Sequence, residues 1–269
     1  MKKIGFIGCG NMAGAIIKGF VNKNCVNSSD IYFIRQNKEK QAQQASELGI
    51  NGCNDYESLI ENSDILFLGV KPVVFPTLLP QIAKSVKKKN PLVVSMAAGL
   101  TTDSIKEMLG YDAKIIRIMP NVNAAIAMST TAVCKNEFAS DEDLATIKNL
   151  FSSIGLTTEV PENQFAIFTA IAGCSPAYVY MFIDGLARGA QKMGMNKQKA
   201  LEIAASAVIG SASMYAQSNE HPQELVDKVC SPGGTTIEGV TTLEEYKFTA
   251  GVVKAVENSI LKDRELSKK

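Results

Sequence analysis

Ser231-Pro232-Gly233-Gly234-Thr235-Thr236 sets two adjacent glycines among hydroxyl-bearing residues, a composition that presents backbone N–H groups to a ligand. Pro232 fixes one φ, the glycines admit backbone angles closed to other residues, and Thr235 or Thr236 is placed to cap a helix running through Ile237 and Val240. Convergent N–H groups at a helix N-terminus attract a carboxylate or a phosphate. An ordinary Pro-Gly turn with a threonine cap reads equally well from these residues alone.

A second anion-binding pattern lies near the other end, where Lys2-Lys3-Ile4-Gly5-Phe6-Ile7 runs into Gly8-Cys9-Gly10-Asn11-Met12-Ala13-Gly14. A short apolar strand followed by Gly-x-Gly-x-x-Ala and an apolar-periodic helix is the context a dinucleotide site requires. Gly8 makes the tight turn, Gly10 lets a pyrophosphate approach the backbone, and Ala13 keeps the helix close to the strand. Gly8, Gly10, Asn11, Met12 and Ala13 are therefore candidate cofactor ligands. The next apolar run, Ile31-Tyr32-Phe33-Ile34, ends at Arg35-Gln36-Asn37-Lys38, where an NAD protein would carry an acidic residue for the ribose 2′-hydroxyl. Arg35 offers a fork to a 2′-phosphate, which favours NADPH and leaves NADH admissible; a solvated helix start is the plainer alternative for Arg35 and Lys38.

Elements able to position these groups follow from the apolar runs. Strands are expected at 3–8, 31–35, 64–70, 91–96 and 114–118, alternating with helices at 11–22, 38–48, 73–87 and 101–109, with further strands at 130–135 and 157–160. This βαβ rhythm specifies an α/β fold, a Rossmann-type doubly wound, mainly parallel sheet. Three strand-end loops are candidates for the cofactor cleft, at Val70-Lys71-Pro72, at Ala98 and at Asn121; for Lys71 and Asn121, a surface lysine and a turn asparagine are equally natural readings. After Pro161 the pattern turns helical over 162–193, 197–217 and 247–266, so a boundary is placed near 160: residues 1–160 for the dinucleotide, 161–269 for an all-α dimerisation and substrate domain. A helical segment rich in Ala, Met and Gly, with little charge from Leu201 to Ala216, buries more than one face most economically as a homodimer.

Composition excludes several classes. The 269 residues are 46% hydrophobic and 20% charged, with a net charge of +1 that exerts no long-range pull on nucleic acid or anionic membrane. Six cysteines without a Cys-x-x-Cys pair suggest neither zinc nor a disulfide framework and fit a reducing cytoplasm. Ala166 to Ile183 is uncharged for nearly a membrane span, but Gly173, Ser175 and Pro176 interrupt it, so it is expected to be a core or interface helix.

Gly8-Cys-Gly-Asn-Met-Ala13, Val70-Lys-Pro72, Ser95 with Ala98-Gly99, Arg117-Ile-Met-Pro-Asn121, Ser175-Pro-Ala-Tyr178, His221-Pro222 and Ser231-Pro-Gly-Gly-Thr-Thr236 stand in an order that resembles the pyrroline-5-carboxylate reductases over nearly the whole chain. The resemblance implies NAD(P)H-dependent reduction of 1-pyrroline-5-carboxylate to L-proline, the last step of proline synthesis. It implies a Rossmann domain followed by an interlocked helical dimer, in some members assembled into rings of dimers. It also assigns Thr236 to the ring nitrogen, with Ser231, Gly234 and Thr235 around the carboxylate. Two loops depart from the family pattern, Pro120-Asn121-Val122-Asn123 for Pro-Asn-Thr-Pro and Ala172-Gly173-Cys174-Ser175-Pro176-Ala177 for Ser-Gly-Ser-Gly-Pro-Ala.

Reaction chemistry points the same way. Carbonyl reduction usually needs a positioned proton donor, and the one histidine, His221, lies outside the strand-end loops. A cyclic imine is basic enough to be protonated already, so it needs mainly orientation and exclusion of water. A β-hydroxyacid dehydrogenase is the alternative enzyme; it would show a helical Lys with a nearby Asn, for which Lys192 and Asn196 are the nearest match. A non-catalytic NADPH sensor would have no use for the second anion loop.

Overall fold

The structure is a computed structural model that describes residues 2–266. Its elements run β1 (Ile4–Ile7), α1 (Asn11–Asn22), β2 (Ile31–Ile34), α2 (Lys38–Leu48), β3 (Asn51–Gly52), α3 (Tyr56–Glu61), β4 (Ile65–Leu68), α4 (Phe75–Lys89), β5 (Leu92–Ser95), α5 (Thr102–Leu109), β6 (Ile115–Met119), β7 (Ser129–Lys135), α6 (Asp141–Ser152) and β8 (Gly155–Glu159). Helices then follow alone: α7 (Phe165–Phe168), α8 (Ser175–Lys192), α9 (Lys197–Gln217), α10 (Pro222–Val229), α11 (Thr235–Glu245) and α12 (Phe248–Leu266). Every strand expected from the apolar runs is present; the short β3 and the helices α3, α6 and α10 are additions.

The eight strands form one sheet in the order β3-β2-β1-β4-β5-β6-β7-β8, parallel throughout except for the β6–β7 pair. Buried parallel strands need apolar residues on both faces, and the pleat sends them alternately to two cores. Ile4, Phe6 and Phe67 join Ile16, Phe20 and Phe151 on one side. On the other, Ile7, Leu66 and Leu68 join Phe75, Leu79 and Ile105. Phe6 and Phe67 stack across neighbouring strands with ring centroids 4.6 Å apart. The strand order reverses at the parallel β1–β4 pair, running outward to β2 and β3 on one side and to β5 on the other, so the carboxyl ends of β1 and β4 open the crevice in which a doubly wound sheet takes its ligand.

By internal contacts the chain divides into two compact units, one extending through Gly173 and taking up the chain from Ile260 onward, the other spanning Cys174–Ser259. Residues 161–173 therefore pack with the sheet unit, beyond the expected boundary near 160. A buried ion pair explains why: Arg117 of β6, 4% exposed, lies 3.3 Å from Glu162 Oε1 and stacks 4.6 Å over the Phe165 ring. Glu162 also accepts from Thr102 N (2.8 Å) and Thr102 Oγ1 (3.0 Å) at the start of α5, where a carboxylate suits the helix dipole.

In the helical unit α8 packs on α9, Asp184 joins Arg188 and Lys197, and Tyr178 Oη meets Ser259 Oγ at 2.6 Å. Large apolar side chains stay on its surface, Met181 at 74%, Met214 at 67% and Ile209 at 64% exposure. Among the described residues the helical run Glu162–Lys192 is long and apolar enough, by length and composition, to cross a membrane. It is not one regular helix, since a 3-10 turn precedes α7 and a π segment at Thr169–Cys174 precedes α8.

Candidate functional site

At the crevice, Gly8 has φ +87°, and a side chain there would meet Gly69 O and Val70 Cγ1 at 2.7 Å. No residue but glycine fits. Gly10 is the N-cap of α1 and makes no side-chain cap; the first helical bond runs from Gly14 N to Gly10 O (2.8 Å). The N–H groups of Asn11, Met12 and Ala13 therefore have no partner within the helix. A Cβ on Gly10 would meet nothing within 4 Å, so the space over these donors is open. Open donors at a helix N-terminus with no acidic residue in the first turn fit a dinucleotide pyrophosphate. Ala13 packs under Gly69, which holds α1 against β1 and β4.

Beside these donors lies a cleft of about 370 Å³ between α1 and α2, lined among others by Gly10, Asn11, Gly14, Lys18, Lys40, Gln44 and Ala125. Arg35, half-buried after β2, gives Nη1 to Gln44 Oε1 at 2.9 Å and forms no ion pair among the described residues. Lys38 is turned away, with Nζ 3.4 and 3.3 Å from the carbonyls of Cys53 and Asn54; of the two expected cations, Arg35 alone borders the fingerprint. Cys9 of the fingerprint is buried, which pushes its thiol up to about 11 against the opposing Arg35 charge and a bond from Gln44, so it is no thiolate nucleophile.

The other strand-end candidates sit as follows. Val70 is half-buried against the Gly8 turn, while Lys71, Pro72 and Ala98 are exposed at the ends of β4 and β5. Asn121, for which a cofactor contact and a turn role were both admissible, is bonded within the fold. It is 4% exposed; Nδ2 donates to Ala172 O in the π segment (3.0 Å), and Oδ1 accepts from Asn123 N (3.2 Å) and Thr130 N (3.3 Å). It shapes the loop that starts a 3-10 turn at Val122–Ile126, which contributes Ala125 to the cleft.

In the helical unit the 231–236 loop is a tight turn, closed by Gly234 N to Ser231 O at 3.0 Å with Gly233 at φ +66°. The threonine cap is not formed: Gly234 is the N-cap of α11 and no side chain caps it. Thr235 and Thr236 are the first helical residues, their hydroxyls unbonded, with Thr236 half-buried. Their N–H groups and that of Ile237 have no partner within the helix. Ser231 Oγ lies against Gly234, at 2.4 Å from where a Cβ would stand.

His221 is spent structurally as the N-cap of α10: Nδ1 accepts Gln223 N (3.2 Å) and its own N–H goes to Glu224 (2.9 Å). Lys192 closes α8 while Asn196 caps α9 by accepting Lys199 N, with Gly194 at φ +99° between them. They share no helix, which removes the dehydrogenase alternative. The residues missed by sequence reading are Gln41 and Gln44 of α2 and the Arg117–Glu162–Thr102 cluster; an arginine inside the apolar run of β6 was the available signal for the latter, since a buried charge demands a partner.

Residues 162–266 match the family model described as pyrroline-5-carboxylate reductase dimerisation, and residues 3–99 the one described as NADP oxidoreductase coenzyme F420-dependent. The pyrroline-5-carboxylate reductase of Escherichia coli (strain K12) is 41% identical over 267 residues, 99% of each chain. Among solved structures, the enzyme from Streptococcus pyogenes is 38% identical over 98% of both chains with a TM-score of 0.89. The Plasmodium falciparum pyrroline carboxylate reductase with NADP bound is 29% identical, with a TM-score of 0.90 over 99% of this chain and 98% of that one. Matched from end to end at such identity, the chain belongs to the pyrroline-5-carboxylate reductase family.

Proposed function

We propose that this protein reduces 1-pyrroline-5-carboxylate to L-proline with NADPH. The observation that carries the reading is the uncapped start of α11, where backbone N–H groups stand beside the unbonded Thr236 hydroxyl. These donors suit a substrate carboxylate, with Ser231, Gly234 and Thr235 around it, and Thr236 is the group assigned to the ring nitrogen. NADPH supplies the hydride. The chain's part is to hold the pyrophosphate on Gly8, Gly10, Asn11, Met12 and Ala13, to meet the 2′-phosphate with Arg35, and to border the cofactor with Val70, Lys71, Pro72 and Ala98, on a loop shaped by Asn121. With His221 committed to a helix cap, no general acid is required of the protein, because the imine arrives protonated. NADPH oxidation should depend on pyrroline-5-carboxylate, and NADP+ reduction by a panel of hydroxyacids should be absent; turnover of a hydroxyacid would overturn the assignment.

Arg35→Asp tests the cofactor side. It removes one charge-assisted contact and adds a repulsion, and such a contact is worth about 1.5–3 kcal/mol, roughly tenfold or more in affinity. The ratio of kcat/KM for NADPH to that for NADH should fall at least by that factor. Equal use of both cofactors by the unmodified enzyme would remove the premise.

The chain carries its family's dimerisation segment, and the exposed Met181, Ile209 and Met214 are the apolar surface a homodimer would cover. Light scattering should find a dimer or an assembly of dimers in solution, with no active monomer. Six free cysteines suit a cytoplasmic enzyme.

A further inference from the structure

We propose that Gln44, assisted by Gln41, is the positioning residue that sets cofactor specificity by fixing the Arg35 guanidinium at the edge of the dinucleotide cleft. The proposal rests on the reading of Arg35 as the partner of the 2′-phosphate. Gln41 and Gln44 lie three residues apart on α2, hence on one face of the helix, and the face they occupy is turned inward to the end of β2. Gln41 is 6% exposed. Its Oε1 accepts the backbone N–H of Arg35 (2.9 Å) and its Nε2 donates to Cys53 O (2.8 Å), which fixes the backbone from which the arginine springs. Gln44 then takes the side chain, accepting Nη1 of Arg35 at 2.9 Å. Its amide nitrogen is close enough to Gly14 that a Cβ there would lie 3.2 Å away, so Gln44 spans from the arginine to the first turns of α1.

The choice of residue type matters. A carboxylate at position 44 would accept the same bond but neutralise the guanidinium and repel a phosphate. A neutral amide orients the fork and leaves its full charge and remaining donors for an anion. Long arginine side chains lose rotamer freedom when fixed, so a guanidinium already held by the protein yields more of its binding energy to the ligand.

The test uses the full-length enzyme and calorimetric affinities for adenosine 2′,5′-bisphosphate and for 5′-AMP, which differ only in the 2′-phosphate. Gln44→Leu should lower the ratio of the two affinities about three- to tenfold, and Gln44→Glu should lower it further, toward the value for Arg35→Ala. In an Arg35→Ala background Gln44→Leu should change the ratio no further. The inference is overturned alone if Arg35→Ala collapses the ratio while Gln44→Leu leaves it unchanged or raises it, because Gln44 would then be idle or would hold the arginine away. An equal loss for both ligands overturns it too, as a packing effect. If Arg35→Ala itself leaves the ratio intact, the reading of Arg35 falls and this inference with it.

Discussion

Thr236→Ala should lower kcat/KM for pyrroline-5-carboxylate roughly ten- to a hundred-fold, the equivalent of about 1.5–3 kcal/mol for a hydrogen bond to a charged partner. Affinity for NADPH should stay nearly unchanged, and proline, as the product, should bind more weakly. The structure sharpens this test. Were Thr236 a helix cap, its removal would cost about 1 kcal/mol of stability; but Gly234 occupies the cap position of α11 and the Thr236 hydroxyl bonds to nothing. The melting temperature should therefore hardly move. Thermal melting beside steady-state kinetics separates the roles, and normal kcat/KM in a folded variant would return the loop to an ordinary turn. Thr236→Ser, which keeps the hydroxyl, should recover most of the activity.

The sheet was legible because its central strands are unbroken apolar runs: Ile31-Tyr32-Phe33-Ile34 and Ile65-Leu66-Phe67-Leu68 have no polar face to offer water. The fingerprint was legible for a related reason, since the position of Gly8 admits no side chain. Side chains that hold other side chains left weaker traces. Gln41 and Gln44 sit in a polar helix, where a glutamine reads as solvated until the fold turns that face to Arg35. The cap of α11 was misread because three hydroxyl residues and two glycines all suit an N-cap; the Ser231–Gly234 turn bond decided for glycine. Pro161 marked a real change of pattern, and 162–266 match the dimerisation family model. The change is one of secondary structure, while Glu162 and Phe165 remain bound to Arg117.

Glu162→Ala should accordingly be among the most destabilising single changes in the sheet unit. It takes from the Arg117 guanidinium, 4% exposed, the carboxylate paired with it and leaves only the weaker attraction of Asp263, and it strips the carboxylate from Thr102 N and Oγ1 at the start of α5. Removing one partner of a buried pair costs about 3–5 kcal/mol, and the lower end applies because 27% of the Glu162 side chain meets water. For a chain of this size about 3 kcal/mol corresponds to a fall in melting temperature of roughly 6–12 °C, measured at fixed protein concentration because subunit association contributes to stability. The partner variant separates the ion pair from the cap. Arg117→Met removes the charge and keeps an apolar side chain over Phe165, so adding Glu162→Ala to it should cost only the loss at α5, about 1 kcal/mol. If Glu162→Ala costs as much with Met at 117 as with Arg, the pair contributes nothing and the link from β6 to the helical segment is apolar packing alone.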